Sequence, residues 1–354
     1  MNGHFFISKL YDIMSLKKEY KNMKLQLTLN SLALILCCGD LIPSSTQPIS
    51  TQEWQEIEKK LKSAHKEPSM ITGMSIDTLT QIIGLDEFTA HKIEKRQKLL
   101  PDLFYALQNL ENQDIGVTTI YEEDYPASLR VLGTKMPLVI SYIGDLSLSY
   151  GVNISVAGPQ MMNKTMRHVT KEIMKKISKE GYTLAVGGSK GVEELALRTQ
   201  LTNNGNAVLF VADHMFDKIR LYSKYIKQNK LVIMTANDPY ALFDVTHALD
   251  KNLYICGMVF AQIVTGTHIG SGPVWFTSIQ NIHSHWTRQL VYETLDYSGN
   301  IRLIEMGEAH FTDEDLKSEV TLAEILDNHE TVIKKDDPSI DQMTIFEFIE
   351  DKHE

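Results

Sequence analysis

A chain of 354 residues with 43% hydrophobic and 23% charged residues can bury a large core in roughly two or three domains, and this composition excludes a collagen-like, wholly disordered or disulfide-framework protein. The net charge of -10 argues against a polyanionic partner only until its placement is read: Lys164 to Lys230 is rich in Lys and Arg, and Glu305 to Glu354 is dominated by Asp and Glu. Cys37, Cys38 and Cys256 form neither a CxxC pair nor a Cys/His cluster of zinc spacing, so no structural metal is expected and a reducing, cytoplasmic setting fits.

Residues 1–22 read as a leader upstream of a second start at Met23, with no function assigned to them. Met23–Cys38 has the basic start, apolar run and Leu-Cys-Cys end of a lipoprotein-type signal. Gln26, Thr28, Asn30 and Ser31 interrupt that run, however, and it is too short to span a bilayer. A buried first helix is expected instead, with no membrane association. Pro43–Ser50 is a loop, and Ser50 or Thr51 is placed to cap a helix carrying Trp54, Ile57 and Leu61, with Glu53 in its first turn. Ile76–Ile83 and Glu87–Leu99 flank a Gly84-Leu85-Asp86 turn. The pair is similar to a helix-hairpin-helix or SAM-like unit, with simple packing as the alternative. Residues 23–112 are thus expected to form a small helical N-terminal domain.

Past Gly116 the pattern changes. Val117–Tyr121 and Leu138–Ile143 read as strands, and Asn153–Ala157 follows as a third. Lys164–Lys179 places Met166, Val169, Ile173 and Ile177 on one helical face, with Gly181 as its C-terminal cap. The strand Tyr182–Val186, helix Val192–Leu201, strand Ala207–Val211, a Lys-rich helix and the strand Leu231–Met234 continue the alternation. A helix around Thr246–Cys256 precedes the apolar run Met258–Val264. Repeated βαβ units predict an α/β domain with a doubly wound, mostly parallel sheet over residues 113–304. Residues 305–354 read as an acidic C-terminal tail with one amphipathic stretch, Leu322–Leu326.

Gly187-Gly188-Ser189-Lys190-Gly191 sits between a strand and a helix. Glycines let backbone N–H groups point outward, the helix N-terminus adds positive potential and Lys190 a full charge, a constellation that fits a phosphate. The spacing is neither GxxxxGK[ST] nor GxGxxG. A tight turn between packed elements is the competing account. Gly270-Ser271-Gly272 opens a second helix with Pro273 in its first turn, and both loops are expected at the carboxyl edge of the sheet. None of the 12 histidines forms HExxH or HxE…CxxC, and Ser271 lies in no GxSxG elbow. No catalysis, cofactor or metal is therefore expected. His283, His285, Trp286 and Arg288 form a polar-aromatic cluster that could stack on a base, although such residues more often cap or pack.

Four motifs in order carry a resemblance. Tyr125-Pro126 with Leu129, Pro137-Leu138 and Tyr142-Ile143-Gly144-Asp145 come first, followed by Val186 to Glu193. Lys251-Asn252 through Gly257 and Gly270 to Val274 complete the set. From roughly Leu85 to Thr277 the chain resembles the DNA-processing (DprA/Smf) family. That resemblance implies a Rossmann-like domain that binds single-stranded DNA without turnover in DNA uptake and recombination. It also implies a homodimer and the delivery of DNA to a RecA-type recombinase. The phosphate-binding set expected from loops and resemblance together is Gly158, Gln160, Lys164, Arg167, Gly187, Gly188, Ser189, Lys190, Gly191, Lys251, Asn252, Gly270, Ser271 and Gly272.

Gln160 and Leu253 stand where the family has arginines, Val186 where it has Ser, Glu193 where it has Asp and Leu197 where it has His. The lost arginines weaken the expected phosphate grip. Lys164, Arg167, Lys190, Arg198 and Lys251 are the candidates to compensate, and binding would then depend on salt. The lysines of Lys171–Lys179 are equally well read as a solvated face. A second reading is a SLOG-type nucleotide-binding or sensing protein, although the PGGxGTxxE signature of its hydrolytic relatives is absent. A third is a scaffold that has lost its ligand. At the far end, Gln342-Met343-Thr344-Ile345-Phe346 resembles a sliding-clamp-binding pentapeptide; the alternative is a tail docking through Ile345, Phe346 and Phe348.

Overall fold

A computed structural model describes residues 25–317 and 319–328; the leader-like residues 1–22 and the Gln342–Phe346 peptide lie outside the described residues. The chain divides into two compact units. The first takes in the described part of Met1–Tyr125 with Gly133–Ile143 and Thr235–Ala241. The second takes in Pro126–Leu132, Gly144–Met234 and the described part of Leu242–Glu354.

The first unit begins with α1 (Leu29–Cys38), whose Ser31 to Cys37 are all buried, as expected for an apolar run with too few charges to face water. Thr28 caps it by accepting the Ser31 amide hydrogen at 3.2 Å. In α2 (Thr51–Ser63) Ser50 and Glu53 form a reciprocal capping box, and Trp54, Ile57 and Leu61 face the core. A 3-10 turn (Pro68–Gly73), a π-helical turn (Thr78–Ile82), α3 (Glu87–Gln97) and α4 (Leu100–Glu111) follow.

Arg96 of α3 is 1% exposed, and its guanidinium donates to Leu36 O at 2.7 Å, Gly39 O at 2.6 Å and Thr46 O at 3.0 Å. One buried cation thus satisfies the carbonyls left at the end of α1 and in the loop beyond. Burial pushes the neighbouring Cys37 thiol up to about 12, against the pull of Arg96. The unit is not purely helical: β1 (Gly116–Thr119) and β2 (Val139–Ile143) pair antiparallel within it, so the sequence boundary at 112/113 falls inside a compact unit.

The second unit holds β3 (Asn153–Ala157), α5 (Lys164–Lys179), β4 (Thr183–Val186), α6 (Val192–Thr202), β5 (Ala207–Phe210), α7 (Met215–Lys227) and β6 (Leu231–Thr235). These are followed by α8 (Val245–Met258), β7 (Ala261–Val264), α9 (Gly272–Ser284), β8 (Arg288–Tyr292), α10 (Ser298–Glu305) and β9 (Ala309–Phe311). Its strands run in the order β6-β5-β4-β3-β7-β8-β9, every pair parallel. The strands β4 to β7 are buried at every position, which is why they read in sequence as unbroken apolar runs rather than alternating ones. The expected doubly wound, mostly parallel α/β fold is what forms.

Part of the segment read as an acidic tail is folded. β9 adds Ala309 and Phe311 to the sheet, and in α12 (Leu322–Asn328) Leu322, Ile325 and Leu326 are buried. The short helix α11 (Asp313–Lys317) lies between them. Leu322 donates its amide hydrogen to Glu180 at 2.6 Å. The acidic residues occupy the outer positions of these short elements, and their composition masks the few apolar ones. Among the described residues no helix is long and apolar enough to cross a membrane, and no cluster of His, Cys, Asp or Glu could hold a metal ion.

Candidate anion-binding site at the carboxyl edge

Strands β3 to β6 are laid down in one direction, and β7 returns to the other side of β3. The carboxyl ends of β3 and β7 therefore flank the switch point, where open α/β sheets bind ligands. Thr265, just past β7, donates both its amide hydrogen (2.8 Å) and its hydroxyl (3.1 Å) to Ala157 O. The buried Asn300 of α10 fixes the rest of this loop: its Oδ1 accepts the Thr267 amide hydrogen at 2.8 Å. Its Nδ2 donates to Thr265 O at 3.2 Å and Tyr292 O at 2.7 Å. The β7 loop is thus held rigidly beside β3.

The loop Gly187–Gly191 follows β4, next to β3. A Cβ on Gly187 would lie 2.3 Å from Lys251 Nζ, so glycine here makes room for a lysine arriving from α8. Lys251 is only 7% exposed and donates to Ser189 Oγ at 3.2 Å. Lys218 of α7 reaches the same loop, with its Nζ 3.5 Å from Gly188 O. Lys190 is exposed at the loop's tip. Gly191 has φ 91°, and a Cβ there would sit 2.3 Å from Pro159 O, so the β3 loop and the start of α6 meet backbone to backbone.

The expectation that glycines let the loop's N–H groups point outward is corrected at Ser189, and the first N–H of α6 is also taken. The Ser189 amide hydrogen goes to Glu193 Oε2 at 3.0 Å, and that of Val192 goes to Pro159 O at 3.3 Å. Glu193 and Glu194 stand in the first turn of α6, where their charge suits the helix dipole and offsets part of its pull on an incoming anion.

The second opening behaves as its sequence suggests. α9 begins at Gly272, Pro273 sits in its first turn, and the exposed Ser271 makes no side-chain cap bond. A cavity of ≈ 20 Å³ lies against β3 and β4, lined by Ala157, Val186, Glu193, Asn252 and Val274 among others. It has room for about one water molecule.

Gly158, Gly187 to Gly191 and Lys251 are thereby brought together, Asn252 lines the cavity beside β4, and Gly270 to Gly272 lead into α9. Gln160 is exposed, and its backbone abuts Gly191. Lys164 and Arg167 are exposed on the first turn of α5, which Asn163 caps by accepting the Met166 amide hydrogen at 2.8 Å. Arg198 is exposed and paired with Glu194 at 3.7 Å. Sequence reading missed Lys218, Asn300 and the capping role of Glu193. Lys218 sat in a Lys-rich helix indistinguishable from a solvated one, and Asn300 acts entirely through tertiary contacts.

The second unit is thus a doubly wound α/β fold with two glycine-rich helix openings and lysines converging beside its switch point. Within that class, this chain belongs to the DNA recombination-mediator protein A family, whose model matches residues 116–315. DNA processing protein A from Streptococcus pneumoniae is similar in structure over 86% of this chain and 99% of its own, with a TM-score of 0.66 and 16% identity. DNA processing protein A from Helicobacter pylori, described for its single-stranded DNA binding mode, is similar over 60% of this chain and 97% of its own (TM-score 0.50, 15% identity). At these identities the likeness establishes the fold. No curated protein matches the chain in sequence.

Proposed function

We propose that this chain binds single-stranded DNA through its phosphates at the carboxyl edge of the sheet, as an accessory factor in DNA recombination that acts without turnover. The observation that carries the reading is the buried Lys251 ammonium at the Gly187–Ser189 loop, joined there by Lys218 and Lys190. Family membership and the single-stranded DNA described for the Helicobacter pylori protein support the same reading. The lysines replace, as point charges, the planar arginine grip that the sequence lacks at Gln160 and Leu253.

The nucleotide-sensing reading draws less support. The PGGxGTxxE signature of its hydrolytic relatives is absent, and Gly266 to Gly270 carries no suitably placed Glu. Self-association, delivery to a RecA-type recombinase and clamp binding through Gln342–Phe346 are further parts of the proposal and rest on the resemblance alone.

Fluorescence anisotropy with labelled oligo(dT) at two salt concentrations tests it. Affinity should fall steeply with salt, and Lys190→Glu should weaken binding whatever the base sequence. No measurable affinity at low salt would overturn the reading.

A further inference from the structure

A second cavity lies at the opposite, amino edge of the same sheet. It measures ≈ 450 Å³ and is lined by Val259, Phe260, His285, Trp286, Arg288 and Glu308, with Asn281 and Thr287 in its wall. Its frame is built rather than loose. Asn281 donates to Thr287 O at 2.9 Å and accepts the Thr287 amide hydrogen at 3.0 Å, while the Thr287 hydroxyl donates to Val259 O at 2.7 Å. Arg288 stacks its guanidinium 5.2 Å from the Phe260 ring centroid and pairs with Asp327 at 3.3 Å, so one aromatic wall is held in place. Phe260 remains 49% exposed.

Inside this frame lies an unusual polar pair. Glu308 is 8% exposed and Gln289, its hydrogen-bond partner, is 2% exposed. A carboxyl with one such partner keeps acceptor capacity for further donors. Burial drives the Glu308 carboxyl up to about 7, against the opposing influence of Gln289.

We infer that the amino-edge cavity is a nucleobase site, in which a guanine lies against Trp286 and Phe260 and donates its adjacent ring and amino N–H groups to Glu308. The volume falls in the range of small-ligand pockets. Aromatic walls supply stacking that any base accepts. Once ionised, the buried carboxylate supplies two neighbouring acceptors, and guanine alone among the common bases presents two adjacent N–H donors on one edge. The site is independent of the phosphate-binding reading of the carboxyl edge, and the base can come from a free nucleotide or from a strand.

Calorimetric titration of the full chain with guanosine, cytidine and uridine monophosphates tests this. Guanosine monophosphate should bind at least tenfold more tightly than uridine monophosphate. Glu308→Gln and Trp286→Ala should each reduce that affinity at least tenfold with melting behaviour retained. Equal binding of the two nucleotides overturns the site, as does wild-type affinity in both cavity variants. A parallel arm compares oligo(dT) with the same strand carrying one internal dG. A gain for dG that Glu308→Gln removes identifies a strand as the source of the base, and no gain identifies the free nucleotide. If oligo(dT) fails to bind at all, the carboxyl-edge reading falls while the nucleotide titration still decides this one.

Discussion

Glu193 accepts the Ser189 amide hydrogen at 3.0 Å, so a carboxylate of the chain itself holds one of the donors that the Gly187–Gly191 loop would offer a phosphate. An incoming anion meets that charge beside the three lysines. Glu193→Gln keeps a side chain that can accept the bond and removes the charge. Oligonucleotide affinity should rise several-fold, about 1 kcal/mol, with the gain largest at low salt. Anisotropy titrations of the two proteins side by side decide it, and an unchanged affinity would mean that the phosphate sits away from this loop.

Two glycines of the loop should respond differently to alanine. At Gly187 the new methyl meets the movable end of Lys251, 2.3 Å away. Gly187→Ala should therefore cost under about 1 kcal/mol of stability yet weaken DNA binding about tenfold by displacing the ammonium. At Gly191 the obstacles are Pro159 O and Gln160 O, and φ is 91°. Gly191→Ala should cost about 2–4 kcal/mol. Urea unfolding separates the pair, and equal losses would contradict the geometry.

Arg96 offers a test in the first unit. Replacing it with Met removes the donors to Leu36 O, Gly39 O and Thr46 O at once. Three carbonyls left without partners should cost about 3–5 kcal/mol. Arg96→Lys should recover part of this by serving one or two of them. A loss below 1 kcal/mol in the denaturation midpoint would show that water replaces the guanidinium freely.

Glu308 gives a pH dependence of definite sign. Its ordinary value of 4.5 is raised to about 7, chiefly by burial, with Gln289 opposing. Cys256 lies close enough for Glu308 to add to the burial that pushes its thiol up to about 12. Between the unfolded and folded values the native state holds a proton that the unfolded chain has released. This contribution to stability is full below about 4.5 and is lost as pH rises through about 7. It amounts to up to about 3 kcal/mol. The stability of Glu308→Gln relative to the parent should accordingly increase from pH 5 to pH 8; a flat difference would place the carboxyl in contact with water.

The parallel sheet was legible because β4 to β7 are buried on both faces and so appear as apolar runs punctuated by glycine. α5 was legible to its last residue, since Met166, Val169, Ile173 and Ile177 repeat at helical spacing. β9 was not. Three residues cannot display a period, and the acidic residues around Ala309 and Phe311 dominate the composition. The pairing of β1 and β2 with the helical unit was equally hidden, because a strand's partner is set by contacts far along the chain.

Sequence by itself determined the doubly wound architecture and the loop Gly187–Gly191, because burial period and glycine placement are local properties of the chain. Only the tertiary structure decided what that loop is made of chemically. Lys251 comes to it from 62 positions beyond Ser189, and Lys218 from 30 positions beyond Gly188. Glu193 turns back on the loop to take one of its donors. The charge at the site is therefore a sum over helices that meet only after the sheet has formed, and no local pattern carries that sum.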